Sequence, residues 1–100
     1  MNNSIQHRGG GKFGRSQNSW PLVKLTIEDN SISMKTILQE VRINREFIEI
    51  IVLQRYFFNY QFIFKHHDSA IHKDIEFWTF SPAPLLKSLR AKGYTVTDER

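Results

Sequence analysis

The chain has 100 residues and a mass of 11.8 kDa, is 40% apolar and 24% charged, and contains no cysteine. That length fits one domain, and the composition is that of a globular chain rather than a disordered or fibrous one. The missing thiols exclude a disulfide framework, a thiolate metal site and a cysteine nucleophile. The longest apolar run, Ile50-Ile51-Val52-Leu53, is far too short to span a bilayer, so no transmembrane segment is expected.

The formal charge is +4 and the pI about 9.6. Arg8, Lys12, Arg15 and Lys24 supply the whole excess, since ten basic and ten acidic residues follow them. Met1–Ser19 carries only three apolar residues, Met1, Ile5 and Phe13, among polar residues and four glycines. Such a segment buries too little surface to offset its ordering entropy, and it reads as a disordered basic tail. It also lacks the apolar stretch of a signal peptide, which makes a cytoplasmic protein the expectation. Gly9-Gly10-Gly11-Lys12 lacks the spacing of a phosphate loop, and Arg8-Gly9-Gly10 is a single unit of an Arg/Gly RNA-binding tract.

The expected domain runs from Trp20 to Thr97. Leu22–Glu28 alternates, with Val23, Leu25 and Ile27 on one face, and reads as a half-buried strand and a candidate sheet edge. Asp29-Asn30-Ser31 is turn chemistry, and Ile32 and Met34 complete a hairpin. Glu40–Ile43 forms a third short strand with Val41 and Ile43 inward, and a turn at Asn44–Phe47 follows. Ile48, Ile50 and Val52 lie on one face of the next strand and Glu49, Ile51 and Leu53 on the other; two largely apolar faces predict a central strand.

Beyond a turn at Gln54–Asn59, Tyr60, Phe62 and Phe64 alternate with Gln61, Ile63 and Lys65. After a loop at His66–His72, Asp74–Phe80 sets Ile75 and Phe77 against Glu76, Trp78 and Phe80. Ser81 suits a helix N-cap, Pro82 the first helical position, Leu85, Leu86 and Leu89 a one-sided stripe, and Gly93 the C-terminal stop. Tyr94 and Val96 are placed to pack back on the core, and Asp98–Arg100 to fray. The fold class is therefore α+β: an antiparallel meander of about six short strands followed by one helix.

The order of these elements, with EVRINREFIEIIVLQR and then IEFWTFSPAPLLKSLRAKGYTV, resembles small bacterial pleckstrin-homology-like (PH-like) domains over about Leu22–Val96. The resemblance is carried by Val41, Ile43, Phe47, Ile48, Ile50, Phe77, Phe80, Leu85, Leu86, Leu89 and Gly93. It implies a barrel or half-barrel, seven-stranded in the full PH fold, with one end closed by the helix. It also implies a non-catalytic interaction module whose partner is a protein or a second copy. Phosphoinositide-binding members use basic residues in the first hairpin loop, where this chain has the acidic Glu28-Asp29-Asn30-Ser31, so that ligand is not expected.

Three groups of residues are candidates for contact. Arg55, Tyr56, Phe57, Phe58 and Tyr60 concentrate aromatics where a turn is expected, and read either as core or as a partner-binding surface. Arg8, Lys12, Arg15, Lys87 and Arg90 are candidate anion contacts, although cations near a helix C-terminus also suit the helix dipole. His66, His67 and His72, with Asp68, are the only cluster with metal-ligand chemistry. Two adjacent histidines on a strand point to opposite faces, so a polar loop is favoured, and no metal or cofactor is expected. A nucleic-acid binder using the basic tail and the aromatic hairpin is the alternative function. No acid–base pair or nucleophile motif points to an enzyme.

Overall fold

The computed structural model describes residues 4–100. Eight strands form one sheet: β1 (Ile5–Phe13), β2 (Ser16–Ile27), β3 (Ser31–Lys35), β4 (Glu40–Asn44), β5 (Ile48–Tyr56), β6 (Asn59–His66), β7 (Ile75–Thr79) and β8 (Val96–Asp98). A 3-10 turn, Arg45–Phe47, joins β4 to β5, and helix α1 (Pro82–Ala91) lies between β7 and β8. The order is β4-β3-β2-β1-β7-β6-β5-β8. Every pairing is antiparallel except that of β5 with β8, so the sheet is mixed and has eight strands, not six.

The sheet curls into a half-barrel around one core. Val23, Leu25, Ile27, Ile32, Met34 and Ile43 line one half, Ile51, Leu53, Phe62, Phe64, Ile75 and Phe77 the other, and Leu85, Leu86 and Leu89 of α1 belong to the same buried cluster. Period-two alternation is what lets each strand give one face to this core. In β5 the alternation breaks at a bulge between Ile48 and Ile50. Ile51 and Leu53 are fully buried while Ile50 is only half-buried, so of the two apolar faces that of Ile51 and Leu53 is turned to the core. Nor is β5 central: it is next to last, with β8 on its far side.

The largest departure from expectation is at the amino terminus. Residues 5–19, expected as a disordered tail, form β1 and the start of β2, and Leu22–Glu28 is an interior strand rather than an edge. The first three residues of the expected tail lie outside those described. β1 is ordered largely through its backbone, pairing with β2 on one side and β7 on the other, with Phe13 the side chain it adds to the buried core. The glycines make that insertion sterically possible. A Cβ at Gly9 would collide with the Trp78 carbonyl oxygen and sit 2.6 Å from Phe77 Cζ; one at Gly11 would sit 2.9 Å from Met34 Cε.

The helix begins at Ser81, whose side chain makes no capping hydrogen bond, and carries Pro82 in its first turn. It ends in a Schellman motif: the Tyr94 N–H donates to Leu89 O at 3.0 Å, the Gly93 N–H to Arg90 O at 3.0 Å, and Gly93 has φ +85°. Arg45 pins this end. Its Nη1 donates to Asp29 O at 2.8 Å and Lys92 O at 2.9 Å, and its guanidinium stacks 4.4 Å from the Tyr94 ring centroid. Tyr94 Oη donates to Glu28 O at 2.8 Å, and burial raises its pKa. The carboxyl terminus is not frayed: Asp98 pairs with Leu53, and the Glu99 N–H donates to Leu53 O at 2.8 Å.

Candidate functional site

The β5–β6 hairpin runs farther than the sequence suggests, and Tyr56 and Asn59 close it around Phe57 and Phe58. Phe57 has φ +51°, a left-handed conformation that costs a bulky residue about 1–2 kcal/mol. It is nonetheless 74% exposed, and Phe58 is 92% exposed. The Tyr56 and Phe57 rings meet edge to face at 4.7 Å, and Arg55 is exposed beside them. Tyr60 departs from the set, because it is half-buried and packs against the core. A second apolar tip, which sequence reasoning did not single out, is the β3–β4 loop with Ile37 and Leu38 each 92% exposed.

Another feature occupies the convex face of the sheet. Strand β2 pairs Val23 with Gly9 and Asn18 with Gly11, so Ser19–Leu22 bulges out opposite Gly10 alone. The backbone of this bulge lies on Gly10, where a Cβ would sit 2.7 Å from Asn18 O and 3.1 Å from Trp20 N. Trp78 faces Gly10 from β7, and its Nε1 donates to Glu76 Oε1 at 3.0 Å, which fixes the indole. The result is a cleft of about 230 Å³ lined by Trp20, Trp78, Phe80 and Asn59, with Trp20 57% and Phe80 60% exposed. Asn59 Oδ1 is buried beside it without a hydrogen-bond partner. An adjoining cleft of about 290 Å³ shares Trp20, Thr79 and Phe80 and reaches Arg8 and His7.

Arg8 begins a row of cations on that face. It pairs across the ladder with Lys24, and Lys24 pairs with Lys35. None of the three makes an ion pair or side-chain hydrogen bond with a described residue. Directly opposed like charges destabilise a sheet. Glu40, opposite Lys35, is the only acid in the row. The other candidate anion contacts are dispersed. Lys12 faces Glu76, Arg15 sits in the β1–β2 turn, Lys87 is exposed on α1, and Arg90 Nη2 donates to Val96 O at 3.1 Å, tying β8 to the helix.

The histidines are already engaged. The Asp68 N–H donates to His66 Nδ1 at 3.1 Å, leaving Nε2 to donate to His72 O at 2.9 Å. His72 Nδ1 accepts from the Asp74 N–H at 3.1 Å, and His67 packs edge-on to Phe47 at 5.4 Å, its Nδ1 3.7 Å from Glu49 Oε2. Among the described residues no group of three or more His, Asp or Glu side chains is placed to hold a metal ion. His7 Nε2 lies 3.2 Å from Ser88 Oγ. The Ser88 hydroxyl donates to Pro84 O at 2.9 Å, so Oγ accepts from His7 and the imidazole links β1 to the helix. Burial lowers the His7 pKa.

No protein-family model, curated protein or solved structure matches the chain. No helix among the described residues is long and apolar enough to cross a membrane. The sequence alternation had put Trp78 and Phe80 on the face away from Ile75 and Phe77, and two large aromatics on the polar side of a strand are the signal that marks the cleft. Nothing local marks Trp20 or the Lys24–Lys35 pairing, because both depend on a four-residue bulge and on register.

Proposed function

We propose that the chain is a PH-like, non-catalytic interaction module that meets a protein partner with the Tyr56–Phe58 end of the β5–β6 hairpin, a second copy being the first partner to test. The observation that carries this reading is Phe57, held at φ +51° while 74% exposed. A strained, water-exposed aromatic turn contributes nothing to folding that a glycine or asparagine would not supply better, whereas large aromatics anchor protein interfaces. The PH-like part of the reading is supported by strand count: seven strands precede the helix, β1 being the one that the sequence concealed. Phosphoinositide binding through the β2–β3 turn is disfavoured, because Asp29 is tied to Lys92 Nζ at 3.0 Å and its carbonyl to Arg45.

Sedimentation equilibrium at tens of micromolar tests the self-association arm. The expected result is an average mass above 11.8 kDa for the native chain and a monomer for Phe58→Asp with unchanged circular dichroism. A native chain that stays monomeric, or a Phe58→Asp assembly as large as the native one, removes the hairpin as a self-association surface.

A further inference from the structure

We propose that the convex face binds single-stranded nucleic acid, with the phosphate backbone along Arg8, Lys24 and Lys35 and a base in the Trp20–Trp78–Phe80 cleft. This goes beyond the hairpin reading and uses a different surface. Three observations converge. Three cations stand on consecutive strands β1, β2 and β3, spaced about 5 Å apart, with no ion pair or side-chain hydrogen bond to a described residue, Glu40 opposite Lys35 being the acid at the end of the row. Two opposed like-charge pairs work against the sheet and are relieved by a polyanion. The aromatic cleft adjoins that row, because the neighbouring cleft that Arg8 lines shares Trp20, Thr79 and Phe80 with it.

The occupant follows from the combination. Cations alone would suit any polyanion, and aromatics alone any apolar partner; the two in one trough match a chain of alternating phosphates and flat π-faces. The cleft is open rather than enclosed by partners, and Trp20 and Phe80 present more than half their surface to water. Stacking there needs an unpaired base, which a duplex does not offer. The charge excess is thus not on a mobile tail. Arg8 and Lys24 are fixed in register by strand pairing, and Trp78 is oriented by Glu76.

Fluorescence titration of the full chain with a twelve-nucleotide single-stranded oligodeoxynucleotide decides the matter. The expected result is saturable binding at 50 mM salt that quenches tryptophan emission, with a duplex of the same sequence bound more weakly. Affinity should fall with salt, and Lys24→Gln and Lys35→Gln should each flatten the log–log slope by about 1. Phe80→Ala should weaken binding about tenfold without changing that slope. If Phe80→Ala does not fold, the two lysine variants and the quenching still decide. Absence of binding at tens of micromolar overturns the proposal. So does heparin binding as tightly as the oligonucleotide with no advantage of single strand over duplex, which marks a charge-only patch, and so does preference for anionic phosphatidylserine vesicles.

Discussion

Phe13 pairs with Ser16 across Gly14–Arg15, and Tyr56 pairs with Asn59 across Phe57–Phe58, so hairpins β1–β2 and β5–β6 both close on two residues. In both, the first turn residue has positive φ, +64° at Gly14 and +51° at Phe57. Gly14 is buried against the His72 ring, where a Cβ would sit 2.7 Å from Cδ2. Its identity is dictated by backbone and by space together. Phe57 faces water and accepts the strain with only an edge-to-face contact to the exposed Tyr56 in return. The same backbone feature is therefore matched by close packing in one hairpin and by exposure in the other. The strands differ in degree: both have neighbours on each side, but β1 gives the core only Phe13 at its end, while β6 gives it Phe62 and Phe64.

The contrast breaks most severely at Gly9. Gly9→Ala forces a methyl group into the Trp78 carbonyl and the Phe77 ring, and should lower the unfolding free energy by about 3 kcal/mol or more. Urea denaturation followed by tryptophan fluorescence measures it, and a loss under about 1 kcal/mol would mean that β1 does not lie between β2 and β7. The two turns should then respond with opposite signs. Gly14→Ala should cost about 1–2 kcal/mol, whereas Phe57→Gly should gain about 0.5–1 kcal/mol by relieving the left-handed phenylalanine. Denaturation midpoints of the two variants at matched slope settle the pair, and a destabilised Phe57→Gly would assign that side chain a folding role.

The smallest effect concerns how the first hairpin is tied to the helix. His7 has a lowered pKa when folded, because burial against α1 disfavours the imidazolium. Below its ordinary value of 6.5 the unfolded chain therefore takes up the proton more readily than the folded one. Stability should be flat above that pH, decline as pH falls towards the folded pKa, and level off beneath it. His7→Gln should remove this contribution, as seen by comparing its midpoint with that of the native chain across the window.

Much of the fold is legible locally. Val23, Leu25 and Ile27 against Ile32 and Met34 specify a hairpin because period two is intrinsic to an extended backbone, and all five are buried. The helix is bounded by Pro82 and Gly93, whose backbone constraints act within a turn of the chain. The aromatic turn is legible too, as a composition anomaly. β1 is not. Its glycines carry no hydrophobic pattern, and what orders them is a slot between β2 and β7 that exists only once residues more than 60 positions away are in place.

The sequence by itself determined the alternation of β3, β4, β6, β7 and the second half of β2, the position of the helix and the residues at the exposed turn, because each follows from backbone preferences over a few neighbours. Only the tertiary structure decided that Arg8, Lys24 and Lys35 share one row and that Trp20 meets Trp78 and Phe80. Those juxtapositions depend on strand register, on a bulge opposite a single glycine, and on a sheet order in which β1 lies beside β7. A charge count along the chain is a sum, whereas a binding surface is an arrangement, and arrangement is set by pairing between segments distant in sequence.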